Sequence, residues 1–274
     1  MKNTDRSGIL VSFLALLFIC VPPAAAQEFA LKALEASPRH QEWVDVPSKG
    51  RTILSFVVYP EVSENTLAVI VIHENRGLTD WERSVADQLA AAGFLAIAPD
   101  LLSDFDSTHK RTSDFASLDE SRAALSEVPQ EQVTADLLAV ERYIAAVPSS
   151  NGKTVVMGFC WGGAQAFRFA ADSSQVAASL VFYGRPPPEG SIAELKAPVY
   201  GFYGESDQRI NDTIPQTESL MKTSGKAYDY VIYPGAGHAF LRQGDDPQAA
   251  EPLRKARDEA WQRVRAILAE VETK

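Results

Sequence analysis

The chain has 274 residues, 46% of them hydrophobic and 23% charged, a globular composition long enough for one large domain. Its formal net charge is −10 and its pI is about 5.0. That balance offers no footprint for a phosphate backbone and argues against nucleic acid as a partner.

The N-terminus reads as a targeting segment. Lys2 and Arg6 supply a short positive region, and Ile9 to Val21 is apolar except for Ser12. Pro22 and Pro23 follow, then Ala24, Ala25 and Ala26, with the small residues that signal peptidase favours. The apolar run falls short of the roughly 18 to 20 residues that span a bilayer. We therefore expect a signal peptide over residues 1–26 and one domain over residues 27–274. The product would be periplasmic or secreted, unattached to membrane, and a monomer or small homo-oligomer. Removal of Cys20 would leave Cys160 as the sole cysteine, so no intramolecular disulfide is available.

After residue 26 the pattern suggests a short irregular arm. Thr52 to Tyr59 is β-branched and aromatic and predicts a strand. Leu67 to Ile72 is continuously apolar and suits a strand buried on both faces. Thr79 with Glu82 forms a capping-box signature, Trp81, Val85, Leu89 and Ala92 recur at helical spacing, and Gly93 closes the helix. Phe94 to Ala98 predicts a strand. Residues 103–130 are polar and irregular, read as a loop with a short helix. Val133, Leu137, Val140, Ile144 and Val147 mark one helix face. Lys153 to Phe159 predicts a strand, followed by a glycine-rich turn and a helix to about Ala171. Val176 to Tyr183, Val199 to Tyr203 and Tyr228 to Tyr233 predict strands, Thr213 to Thr223 a helix, and Leu253 to Val271 a long terminal helix. Such alternation predicts an α/β fold with a mostly parallel central sheet and helices on both faces. Its reactive groups belong on loops at the carboxyl ends of strands.

Gly158-Phe159-Cys160-Trp161-Gly162 lies between a predicted strand and a predicted helix. This is the arrangement of a nucleophile elbow, with Cys in the place usual for Ser. A sharp strand-to-helix turn leaves no room for Cβ atoms two residues to either side, which accounts for Gly158 and Gly162. The helix N-terminus favours thiolate at Cys160, and the Trp161 backbone N–H faces a developing oxyanion. The plainer alternative is a buried cysteine with glycines chosen for packing.

Elbow hydrolases list their partners in the order nucleophile, acid, base. Asp207 follows the strand Val199 to Tyr203, and His238 follows the strand Tyr228 to Tyr233. Asp207 would take the Nδ1–H of His238 and leave Nε2 facing sulfur. Glu205 and Asp212 are rivals for the acid. His40, His73 and His109 lie away from the expected position of the base. A metal centre is not expected: there is no His-x-x-x-His and no cysteine pair. Neither a P-loop nor a dinucleotide glycine motif occurs, and no cofactor is expected.

Five segments in order carry a resemblance: His73-Glu74-Asn75-Arg76-Gly77, Ala98-Pro99-Asp100-Leu101, Gly158-Phe159-Cys160-Trp161-Gly162-Gly163, Gly204 to Asp207, and Gly237-His238-Ala239-Phe240. Through them the chain, from about Ser55 to its terminal helix, resembles the dienelactone hydrolase family, the carboxymethylenebutenolidases. The resemblance implies a small ester or lactone substrate, carboxylate-bearing in the family's pattern. It implies that Glu74 takes the thiol proton when substrate enters and that the thiolate then pairs with the histidine. Without that role Glu74 is a solvated loop residue or a salt-bridge partner of Arg76. The Asn75 N–H would be the second oxyanion donor. Arg242, four residues after His238, matches the substrate-binding arginine and otherwise reads as a surface residue. The second substrate arginine of the pattern is missing where Ser103-Asp104 stand, and Arg76 is a candidate replacement. Two readings outside hydrolysis remain: a noncatalytic binding protein on the same scaffold, and a redox protein with a lone thiol, which would lack a resolving cysteine.

Overall fold

The computed structural model describes residues 25–273. The expected signal segment therefore lies almost wholly outside the described residues. Eight strands form one sheet: β1 (Gln41–Ser48), β2 (Arg51–Val58), β3 (Thr66–Ile72), β4 (Leu95–Pro99), β5 (Ser150–Phe159), β6 (Val176–Phe182), β7 (Val199–Gly204) and β8 (Tyr228–Tyr233). Their spatial order is β1-β2-β4-β3-β5-β6-β7-β8. The pairs β1–β2 and β2–β4 are antiparallel, and every other neighbouring pair is parallel. The helices are α1 (Ala25–Glu35), α2 (Asp80–Ala91), α3 (Leu118–Glu127), α4 (Gln130–Ala145), α5 (Trp161–Asp172), α6 (Glu189–Ile192), α7 (Gln208–Asn211), α8 (Ile214–Thr223), α9 (Phe240–Asp245) and α10 (Glu251–Thr273).

Parallel strands need crossovers, and helices supply them, which is why the sheet is covered on both faces. Every residue of β3 is buried. Its alternate side chains point into separate apolar layers. Leu67, Val69 and Val71 join Trp81, Val85, Phe240 and Val264 on one face. Ala68, Ile70 and Ile72 join Leu125, Leu137, Val140 and Phe167 on the other. A fully buried side chain of this kind contributes roughly 1.5–3 kcal/mol, so the two layers together hold the strand in register.

The expected irregular arm is instead α1 and β1. Ala30 and Leu34, four residues apart, pack from α1 into the first layer. In β1 inward residues alternate with outward ones, and Val46 is buried. Pro47 sits in this edge strand, the position in a sheet that tolerates a missing N–H. Residues 103–130 are a loop followed by α3, in agreement with the pattern. Among the described residues no helix is long and apolar enough to cross a membrane.

The parallel register aligns the strand ends. Ile72 of β3 pairs with Gly158 of β5, and Phe159 pairs with Phe182 of β6. The loops bearing Glu74, Cys160, Asp207 and His238 therefore all leave the same edge of the sheet. Cross-links between them hold this edge: the Cys160 N–H donates to Phe182 O at 3.0 Å, and the Ser206 N–H to Ala236 O at 2.9 Å.

Candidate active site

Cys160 stands between β5 and α5 with φ 54° and ψ −110°. For a residue with a Cβ this is strained backbone, tolerated where surrounding structure enforces it. Neighbouring glycines show the enforcement. A Cβ at Gly158 would collide with the carbonyl of Gly162, and one at Gly162 with the carbonyls of His73 and Ile72. The elbow is thus pressed against the end of β3, and its glycines are needed for backbone contact.

Three side chains meet at its tip. His238 Nε2 lies 3.1 Å from Cys160 Sγ, and His238 Nδ1 lies 2.5 Å from Asp207 Oδ2. Asp207 is buried, and its own N–H donates to Gly204 O at 3.0 Å, which fixes the loop beyond β7. Neither Glu205 nor Asp212 takes this place. Glu205 accepts the N–H of Gly235 and Asp212 bonds Gln208. The remaining histidines serve elsewhere. His73 is buried, its Nδ1 2.7 Å from Glu74 O, while its Nε2 accepts the Leu101 N–H at 3.3 Å. Its ring stacks on Trp161 with centroids 5.5 Å apart.

Glu74, expected from the resemblance, lies beside Cys160 and His238. The residue is 7% exposed. Oε2 accepts from Arg242 Nε at 3.0 Å, and Oε1 accepts from the Tyr183 hydroxyl at 3.4 Å. Its ion-pair partner is thus Arg242 and not Arg76. The capping-box residue Glu82 holds the Glu74 backbone N–H at 2.9 Å while also accepting the Thr79 N–H at 3.0 Å. One carboxylate therefore caps α2 and fixes the loop after β3.

Burial pushes the Glu74 carboxyl up, opposed by the positive charge of Arg242. Burial also pushes the Cys160 thiol up to about 11, reinforced by the negative charge of Glu74 and opposed by the Trp161 N–H. The helix N-terminus alone would favour thiolate. Here desolvation and the neighbouring carboxylate outweigh it, so the thiol rests neutral near pH 7 and can donate to His238 Nε2.

These groups line a cleft of about 590 Å³, shared with Asn75, Arg76, Trp161 and Ala164. The predicted residues Cys160, Asp207, His238, Glu74, Asn75, Arg76, Trp161 and Arg242 thus gather at one place. The sequence pattern missed Tyr183, which directly follows β6 with φ 40° and sets its ring against His238 at 5.0 Å. It also missed Arg122, Arg185 and Arg209 at the cleft. Their only shared signal is residue type, because each comes from a different loop or helix. Among the described residues no group of three or more His, Cys, Asp or Glu side chains is arranged to hold a metal ion.

The family model for the dienelactone hydrolase family matches residues 53–272. The chain belongs to that family. A protein of Methylorubrum extorquens named "Putative carboxymethylenebutenolidase" is 30% identical over 95% of this chain and 91% of its own length. One of the same name from Saccharolobus solfataricus is 31% identical over 82% of this chain and 96% of its own. The crystal structure of a "Putative Dienelactone Hydrolase" from Klebsiella pneumoniae superposes with a TM-score of 0.74 at 28% identity, covering 84% of this chain and 98% of that one. The fold is that of an α/β-hydrolase, and the family is one of ester or lactone hydrolases.

Proposed function

We propose that the protein hydrolyses small carboxylate-bearing esters or lactones through a thioacyl-enzyme on Cys160. The observation that carries this reading is the chain Asp207–His238–Cys160, at 2.5 and 3.1 Å, ending in a strained cysteine at the wall of the cleft. The name shared by the relatives supports a lactone as the cleaved group.

The neutral thiol and the Glu74–Arg242 pair describe a resting state. A substrate carboxylate at Arg242 competes for the guanidinium and frees Glu74 to take the thiol proton. The thiolate attacks the carbonyl carbon, with the Trp161 and Asn75 N–H groups as oxyanion donors. The C–O bond breaks, and the alkoxide leaves with the proton that Glu74 took from the thiol, relayed through His238, so that Glu74 is again a carboxylate and His238 again neutral. Asp207 steadies the imidazolium. Water, deprotonated by His238, then attacks the thioester, and the carboxylic acid departs as Cys160 regains its proton. No step calls for a metal or an organic cofactor. We further propose export, with residues 1–26 as the cleaved signal.

The test is hydrolysis of a small chromogenic acetate ester before and after stoichiometric alkylation of the thiol. Activity abolished by alkylation supports the reading; activity that survives complete alkylation overturns it.

A further inference from the structure

The charge of the cleft is opposite to that of the chain. Five arginines line it, Arg76, Arg122, Arg185, Arg209 and Arg242, and among the described residues Glu74 is the one carboxylate on its wall. The net charge of the whole protein is −10. Several arginines elsewhere are ion-paired, among them Arg39 with Asp87, Arg51 with Asp136, Arg257 with Asp245 and Arg263 with Asp229. In the cleft only Arg242 is committed, to Glu74. The side chains of Arg76, Arg122, Arg185 and Arg209 have no ion-pair or hydrogen-bond partner among the described residues. Four unneutralised cations around one cleft repel one another, and an acidic chain has carboxylates to spare for pairing them.

Their placement divides them. Arg242 rides on α9, whose Phe240 and Leu241 pack into the apolar layer on one face of the sheet. Arg122 rides on α3, whose Ala124 and Leu125 pack into the layer on the opposite face. The two arginines thus reach the cleft from helices packed on opposite faces of the sheet. Arg76 is tied to the Arg122 side, because Ser121 Oγ, the neighbour of Arg122, donates to the Arg76 carbonyl at 2.9 Å. Arg185 and Arg209 follow β6 and β7 and border the rest of the cleft. Pro186, Pro187 and Pro188 stiffen the chain directly after Arg185.

One substrate carboxylate at Arg242 leaves the other cations unused. We propose that the cleft takes a substrate with two anionic groups, one at Arg242 and the second at a subsite made by Arg76 and Arg122 across Cys160. Arg185 and Arg209 raise the local concentration of such dianions by attraction at the rim. This rests on the hydrolase reading for what is cleaved, but the binding of a dianion does not depend on turnover. It also gives α3, in the polar and irregular stretch 103–130, a part in specificity.

The test compares glutarate, a dicarboxylate, with butyrate, a monocarboxylate, by titration calorimetry on the full folded protein at low salt. A parallel arm measures kcat/KM for 4-nitrophenyl acetate and for a glutarate monoester of 3-carboxy-4-nitrophenol, which carries a carboxylate on each side of the scissile bond. The expected result is tighter binding of glutarate. In Arg122→Gln, the ratio of dianionic to neutral ester kcat/KM should fall about ten- to a hundredfold, the range for losing a charge-assisted hydrogen bond. Arg122→Lys should restore part of that loss. Equal binding of glutarate and butyrate overturns the proposal, as does an Arg122→Gln variant with an unchanged ratio. If neither ester is cleaved but glutarate is still preferred, the hydrolase reading fails and the dianion site stands.

Discussion

The Nε of Arg242 donates to Glu74 Oε2 at 3.0 Å across 168 positions of sequence. The pair joins the loop after β3 to the helix after β8, directly beside the thiol. An anion that occupies Arg242 therefore changes the surroundings of Cys160. In the proposed mechanism, binding and activation are linked through this one pair.

Glu74→Gln separates the two effects. The negative charge of Glu74 helps to hold the Cys160 thiol up at about 11, so its removal lowers that pKa and enlarges the thiolate fraction at any fixed pH below it. Iodoacetamide should alkylate the resting variant at pH 8 several-fold faster than the wild type. Turnover of a carboxylate-bearing ester should nevertheless fall, because the acceptor for the thiol proton is gone. Slower alkylation in the variant would contradict this view of the resting site.

The pH dependence of alkylation follows from the same shift. A thiol raised from an ordinary value of 9.0 to about 11 is almost wholly protonated at neutral pH. The alkylation rate of the folded wild type should therefore keep rising beyond pH 9 toward 11. The sign for stability agrees: the fold favours the neutral thiol, so that contribution is intact below pH 9 and is lost as pH climbs through 11. Cys160→Ala should lose less stability across this window than the wild type, as read from urea midpoints at each pH.

His238→Ala should lower kcat by roughly a hundred- to ten-thousandfold, the usual scale of a general acid–base group. Asp207→Asn should lower kcat substantially with less effect on KM, because it disturbs the His238 tautomer and not a contact with substrate. Steady-state kinetics on variants with native circular dichroism would check both.

Gly162→Ala should be strongly destabilising, on the order of 2–3 kcal/mol or more, because the new Cβ meets backbone carbonyls that cannot rotate away. Gly190→Ala, where a Cβ meets nothing within 4 Å, is the control and should stay close to the wild type. Denaturant midpoints of the two variants decide this.

Strands β3 to β7 were legible because strands buried on both faces carry continuous apolar runs, as in Leu67 to Ile72, and the edge strand β8 was legible from its aromatic and β-branched residues. The elbow was legible because its glycines are a local steric requirement. In contrast, β1 was hidden: it is an edge strand with exposed Trp43 and internal Pro47, so its pattern resembles a loop. Helix α9 spans only Phe240–Asp245, too short for a 3.6-residue period to show. Spacing placed Asp207 and His238 on strand ends, but no local pattern announces that Glu74 turns toward Arg242. The convergence of Arg122, Arg185 and Arg209 depends on the fold in the same way.

The central claim is covalent: an acyl group passes through Cys160. Its most direct test is rapid acid quench of the protein during turnover of 4-nitrophenyl acetate, followed by intact-mass and peptide mass spectrometry. The account predicts an acetyl adduct on the peptide containing Cys160, forming as fast as nitrophenol is released and absent from Cys160→Ala. Continued hydrolysis by Cys160→Ala, with no adduct on the wild-type cysteine at any time, would contradict it.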